Sequence, residues 1–395
     1  MSSLDKYIIY TSVFAIFTES FFVHYGIDWK LFYLILISNS VILGYKYNLK
    51  IHNNLLIVLG FFLVHGLVMF LLFSNPLQSL IAQVLGISVS SIFYYNLFRI
   101  YSLKPLVEVY KKTAFLLAFF AIPMYYFKIN TFVYNRLNGI LTEPAHYAAI
   151  MLPALYLFAR KGNYYKALII LFTIFLTKSS VGFIALALML IIPLIKLKYF
   201  VRYSIIALVI LVISGVYIGS QWNEKIDENK SNKIVRRLKQ TQDSFNAIHN
   251  GKFNSDTNLS SYAFLSNLFV TKEIVSKNPI GMGLGSYRHE YDKQYPKLSP
   301  PEYLIILKQS KINRTDANSL LFRMTADLGI FGLLIFIYFL YRSIKIFGTD
   351  AKQVQQSSFF YLITKLIREG HYFSPEFYFF VFLFLDGSDE HFTRS

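Results

Sequence analysis

The chain has 395 residues, of which 55% are apolar and only 15% charged, with a mean hydropathy of +0.44. Soluble domains carry about 25% charge, so this composition excludes an ordinary soluble fold and reads as a membrane protein. The net charge of +17 would suit nucleic acid on a soluble chain, but basic loops kept on the cytoplasmic side account for it and no nucleic-acid partner is expected; the lack of cysteine excludes disulfides, thiolate metal sites and cysteine nucleophiles.

A helical span needs about 20 mostly apolar residues. Spans are predicted near 7–23, 31–45, 55–73, 77–98, 113–129, 144–159, 164–177, 180–195, 200–218 and 317–341, followed by a shorter pair near 357–369 and 373–386. The expected fold is an all-α polytopic membrane protein of 11 or 12 transmembrane helices. Residues 1–218 hold the first nine, 219–315 form one large outer loop, 316–386 hold helices ten to twelve, and 387–395 are a polar tail. That loop contains 24 of the 61 charged residues, an ordinary water-facing composition. No cleavable leader is expected, because polar Glu19 and further spans follow the first apolar stretch.

Orientation follows from Lys and Arg in the short loops. A cytoplasmic N-terminus places sixteen of them inside and only four, Lys30, Lys128, Arg136 and Lys178, outside before residue 219. The large loop then emerges outside. Within it, residues 231–248 place Ile234, Leu238, Phe245 and Ile248 on one helical face with basic residues elsewhere, a pattern for a helix at the membrane surface. A second helix is predicted over 259–277, ending at Asn278 and Pro279, before a Gly- and Pro-rich stretch.

Ionisable groups near the outer ends of spans are functional candidates, although salt bridges between helices give the same pattern. Four clusters qualify. In residues 136–153, Thr142 could cap a helix with Pro144 in its first turn. Glu143 and His146 share its outward face, either as a dipole-favoured helix start or as a carboxylate or imidazole base beside an Arg136 anion clamp. The turn LTKSSVG, 176–182, offers Lys178 and two hydroxyls, either a snorkelled lysine with a serine cap or a phosphate site. GMGLGSYRHE, 281–290, matches neither the dinucleotide nor the P-loop fingerprint. It reads as a flexible loop presenting Arg288, His289 and Glu290, as a solvated run or an anion clamp. At the return to the membrane, Arg314, Asp316 and Asn318 lie at the outer mouth, whereas Arg323 and Asp327 are expected to pair with each other. The last hairpin adds Arg368 and His371 on the same side.

No metal-binding spacing and no GxSxG motif is present, so neither a metal nor another cofactor is expected. Arginine's planar fork suits phosphate and pyrophosphate, which points to a lipid-linked phosphate substrate. Glu143, with Asp316, Glu290 and His371 as rivals, is the candidate base. Arg136, Arg288 and Arg314 are the candidate clamp, with His146, Lys178, His289, Asn318 and Arg368 as further binding residues.

Taken in order, RLNG (136–139) with EPA (143–145), LTKSS (176–180), PIGMGLGS (279–286) and DANSL (316–320) followed by DLGIFG (327–332) resemble the O-antigen polymerase (Wzy) and O-antigen ligase superfamily. The resemblance implies a GT-C-like bundle in the bacterial inner membrane with a periplasmic active site. It implies an undecaprenyl pyrophosphate donor whose glycan passes to a hydroxyl, on another lipid-linked repeat unit in polymerases and on lipid A-core in ligases. A chain-length regulator and a flippase of the same pathway would be its partners. Ligases of this superfamily usually carry His directly before the Asn that opens the tenth span; Ala317 stands here, which favours a polymerase. A transporter of lipid-linked oligosaccharide is the alternative from another class, but no internal repeat supports it.

Overall fold

The computed structural model describes residues 1–25, 27–130, 132, 135–194, 247–255 and 257–386. The predicted ninth span, nearly all of the 231–248 helix and the polar tail lie outside the described residues.

The all-α class holds. Helices α1 (Ser3–Ala15), α2 (Leu31–Lys46), α3 (Asn53–Phe73), α4 (Leu77–Ile100), α5 (Leu103–Tyr126), α6 (Pro144–Arg160), α7 (Tyr164–Leu176) and α8 (Ser180–Ile191) follow the predicted order. After the undescribed stretch come α9 (Leu259–Lys277), α10 (Tyr287–Gln294), α11 (Glu302–Ile306), α12 (Leu320–Leu328), α13 (Ile330–Phe347), α14 (Gln353–Arg368) and α15 (Phe377–Asp386). Among the described residues, α3, α4 and α13 are long and apolar enough to cross a membrane, and α2, α7 and α8 are shorter apolar helices. Exposed Val64, Leu71 and Leu72 on α3 and Ile337 on α13 suit a surface solvated by lipid tails.

α6 and α14 form the centre. α6 buries every residue from Tyr147 to Phe158, and a helix apolar on all sides belongs inside a bundle. Close approach there relies on small residues, as expected where lipid removes the hydrophobic drive between helices. A Cβ at Gly182 of α8 would lie 2.9 Å from the Cβ of Ala148 on α6.

Three boundaries correct the sequence reading. The first span ends at Ala15, and the segment before α2 forms a hairpin of β1 (Phe22–Tyr25) and β2 (Ile27–Lys30), paired antiparallel with Phe22 opposite Lys30. The fifth helix starts more than two turns before Lys111 and Lys112, at Leu103, because buried Lys111 pairs with Glu108 at 2.6 Å and need not leave the helix. The expected single span 317–341 is two helices, α12 and α13, broken at Gly329.

The break has a steric cause. Gly329 sits at φ +58°, ψ −131°, and a Cβ there would come within 2.1 Å of Pro279 O. The backbone of 279–281 crosses at van der Waals contact and receives the N–H of Ile330 on Pro279 O at 2.9 Å. Gly329→Ala should therefore lower the thermal midpoint sharply. Gly162→Ala, also at positive φ but with open space around the Cβ, should cost only the backbone penalty of about 1–2 kcal/mol. Thermal unfolding of both in detergent, with equal shifts, would contradict this assignment.

Polar residues gather at the two ends of the bundle. At one end Asp5 accepts from Lys46 at 2.6 Å, Tyr47 at 2.9 Å and Tyr101 at 3.0 Å. At the other, the turns 16–20, 135–143, 177–179, 313–319 and 369–376 converge.

Candidate active site

Two asparagines shape the RLNG loop from within: Asn138 Nδ2 donates to Leu141 O at 2.7 Å and Asn130 Nδ2 to Gly139 O at 2.8 Å. Gly139, at φ +58°, lets the loop lie on the Tyr147 ring. Leu137 N donates to Leu176 O at 3.1 Å, Arg136 Nε to Thr177 O at 3.0 Å and Lys178 Nζ to Asn135 O at 3.2 Å. The first two sequence clusters are thus one structure. Arg136 is half-buried over the Phe132 ring, and its terminal guanidinium nitrogens remain beyond the Nε bond. Burial draws its pKa down, the charge of Glu143 opposes the shift and that of Arg368 adds to it.

Thr142 does not cap α6. Pro144 takes the first helical position and forces residue 143 into extended backbone, so Glu143 becomes the cap position, with its own side chain exposed and making no capping bond. One turn on, both ring nitrogens of His146 face carboxylates: Nδ1 lies 2.7 Å from Glu19 Oε1 and Nε2 3.7 Å from Glu369 Oε2. The turn at 178 contains the expected serine cap, Ser179 Oγ accepting from Gly182 N at 3.3 Å.

The second part of this polar end comes from the segment before α12 and the turn after α14. Ala317 and Asn318 both have φ +59°, which turns the chain sharply before Ser319 caps α12. Asp316 accepts from Asn318 N at 3.3 Å and lies 3.9 Å from His371 Nε2. Arg368 Nη1 donates to Asn318 Oδ1, and Asn318 Nδ2 is buried with no hydrogen-bond partner among the described residues. Gly370 lies directly on the Asp316 backbone, and Arg323 Nη1 donates to Gly370 O at 2.8 Å. Arg136, Glu143, His146, Lys178, Asp316, Asn318, Arg368 and His371 therefore share one end of the bundle.

The remaining candidates lie on or against other elements. Residues 281–286 are not a flexible loop: Asp327, fully buried, accepts from Gly285 N, Ser286 Oγ, Tyr287 N and Tyr372 OH at 3.1–3.2 Å. Gly281, Gly283 and Gly285 have φ between +81° and +91°, which lets the chain wind around this carboxylate and against α3 and α4. Arg323 stays 3.7 Å from Asp327, so the expected pair forms, but its larger role is to organise this knot. Arg288, His289 and Glu290 lie on α10 instead of a loop. Arg288 is exposed, and Glu290 is buried against Lys293 at 2.6 Å. Arg314 faces Asp292 of the same helix at 3.5 Å.

Sequence reasoning missed Glu19, Lys365, Glu369 and Glu376. Lys365, almost fully buried, bonds Glu369 and Ser374 and lies 3.7 Å from Glu376, which accepts from Tyr361 OH at 2.7 Å. The signal was available, since charges inside an apolar stretch are costly enough to be functional by default. Among the described residues no group of His, Asp and Glu is arranged to hold a metal ion.

A helical membrane protein with guanidinium groups, one exposed carboxylate, Glu143, and the partly buried Asp316 gathered at one end has the elements for holding an anion and transferring a group from it. Residues 166–337 match the family model described as O-antigen ligase (Wzy_C), which supports the O-antigen polymerase and ligase superfamily. No curated protein matches the chain. The family match contains Lys178, Arg288, His289, Glu290, Arg314, Asp316 and Asn318; Arg136, Glu143, His146, Arg368 and His371 lie outside it.

Proposed function

We propose that the protein is an O-antigen repeat-unit polymerase, passing a glycan from undecaprenyl pyrophosphate to the non-reducing end of another lipid-linked repeat unit. The observation that carries the transfer chemistry is the convergence of Arg136 and Arg368 with Glu143 and Asp316 at one end of the bundle. Pyrophosphate is already a good leaving group, so the site must hold developing negative charge and remove one proton. Arg136, Arg368 and the unpartnered Asn318 Nδ2 hold the pyrophosphate. Glu143, exposed beside Arg136, takes the proton of the acceptor hydroxyl as its oxygen bonds the anomeric carbon. The bond from that carbon to the pyrophosphate oxygen breaks, and the electron pair leaves with the lipid pyrophosphate. Asp316 and His371 face each other across the same mouth as the alternative base; Glu290, held by Lys293, is the weakest. Direct displacement inverts the anomeric centre. No cofactor enters the scheme.

Ala317 favours polymerase over ligase. Its side chain is buried in the core beneath α9 and α10, at the position where a ligase would carry histidine. The membrane is the bacterial inner membrane, with the N-terminus cytoplasmic and the 219–315 loop and mouth periplasmic. A flippase supplying the lipid-linked unit and a chain-length regulator are its functional partners. Cells lacking the protein should display surface glycan capped by a single repeat unit. A full-length banding ladder in such cells would remove the polymerase reading, and loss of all capping would favour the ligase.

A further inference from the structure

We propose that His146 is a positioning residue that holds the Arg136–Glu143 side of the mouth in register with the Arg368–Asn318 side, an inference that rests on the glycan-transfer reading above. Four elements meet around it. Glu19 comes from the turn after α1, His146 from the first turn of α6, Lys365 from the last turn of α14 with Glu369 as its C-cap, and Glu376 from just before α15. The groups alternate in kind: Glu19 to His146 at 2.7 Å, His146 to Glu369 at 3.7 Å, Glu369 to Lys365, and Lys365 to Glu376 at 3.7 Å. Besides Glu19 and Glu369, the charge of Glu143 also acts on the His146 ring, and Thr142 Oγ1 lies 3.4 Å from Nδ1.

A buried string of this kind stabilises less than apolar packing of the same volume, so its yield is geometry. That geometry is the 368–371 turn. On one face Glu369 engages His146 and Lys365; on the other Arg323 holds Gly370 O and Gly370 lies on Asp316. Arg368 and His371 project from the two ends of this clamped segment toward Asn318 and Asp316. Three residues before His146 stands Glu143, in reach of Arg136. With both ring nitrogens turned to carboxylates, His146 is occupied in joining the two sides instead of meeting substrate.

The test combines kinetics with a distance. His146→Gln and Glu369→Gln should each lower kcat by about 10²-fold, the cost of misplacing reacting groups by roughly 1 Å, with a smaller change in KM. The double variant should be no worse than the worse single one, and Arg368→Ala should add little in the His146→Gln background. Because the chain lacks cysteine, spin labels at Lys178→Cys and His371→Cys report the separation of the two sides by pulsed electron paramagnetic resonance. Adding His146→Gln should broaden or shift that distribution. An unchanged distribution, or losses from His146→Gln and Arg368→Ala that simply multiply, would overturn the proposal. If the unaltered protein transfers no glycan, the functional reading fails, and the distance measurement alone decides the positioning role.

Discussion

Arg368→Ala is expected to lower kcat/KM for glycan transfer by about 10²-fold or more, the loss seen when one donor to developing transition-state charge is removed. Its guanidinium donates to Asn318 Oδ1, from the end of a helix whose next residue is clamped by His146. A fork fixed by one bond has its remaining N–H groups aimed before substrate arrives. Arg368→Lys should recover little, because a lysine ammonium cannot bond Asn318 and a phosphate in one plane. Arg136→Ala should cost a similar factor, since its Nε is already committed to Thr177 O. Steady-state rates with a synthetic lipid-linked repeat unit, alongside size-exclusion profiles in detergent, separate this from misfolding. Rates within threefold of the parent for both alanine variants would remove them from the site.

Asp327→Ala is the largest expected structural loss. The carboxylate is fully buried, accepts from four groups and faces Arg323. Removing it strands two backbone N–H groups, two hydroxyls and a buried guanidinium, at a cost of about 3–5 kcal/mol. Asp327→Asn should recover only part, because its amide nitrogen must face a donor. The 281–286 segment and the start of α10 should lose protection in hydrogen exchange before the α6–α14 core does. Exchange of that segment unchanged by Asp327→Ala would contradict this account.

Local patterns were legible wherever one segment set its own structure. The helix predicted over 259–277 occupies those bounds, with Asn278 closing it, and Ser179 caps α8 as its spacing suggests. What failed depended on distant contacts. Nothing near Gly329 announces that Pro279 will cross it, so α12 and α13 read as one span. The glycines at 281, 283 and 285 suggested flexibility, but they are the positions that let the backbone wrap Asp327, some forty residues away. The site was half legible for the same reason. An outward position selected Arg136, Glu143, Asp316 and Arg368 as candidates, but Glu19 and Glu369 join them only by contact with His146, 127 and 223 positions away in sequence.

The proposed work of the end formed by Arg136, Glu143, Asp316, Asn318 and Arg368 is to join lipid-linked repeat units to one another. Purified protein incubated with a synthetic undecaprenyl-pyrophosphate-linked repeat unit and no other acceptor, with and without chelator, tests it most directly. A product ladder stepping by one repeat unit is expected in both conditions, and Arg136→Ala and Arg368→Ala should form it about 10²-fold more slowly. Substrate left unextended until lipid A-core is added would contradict it.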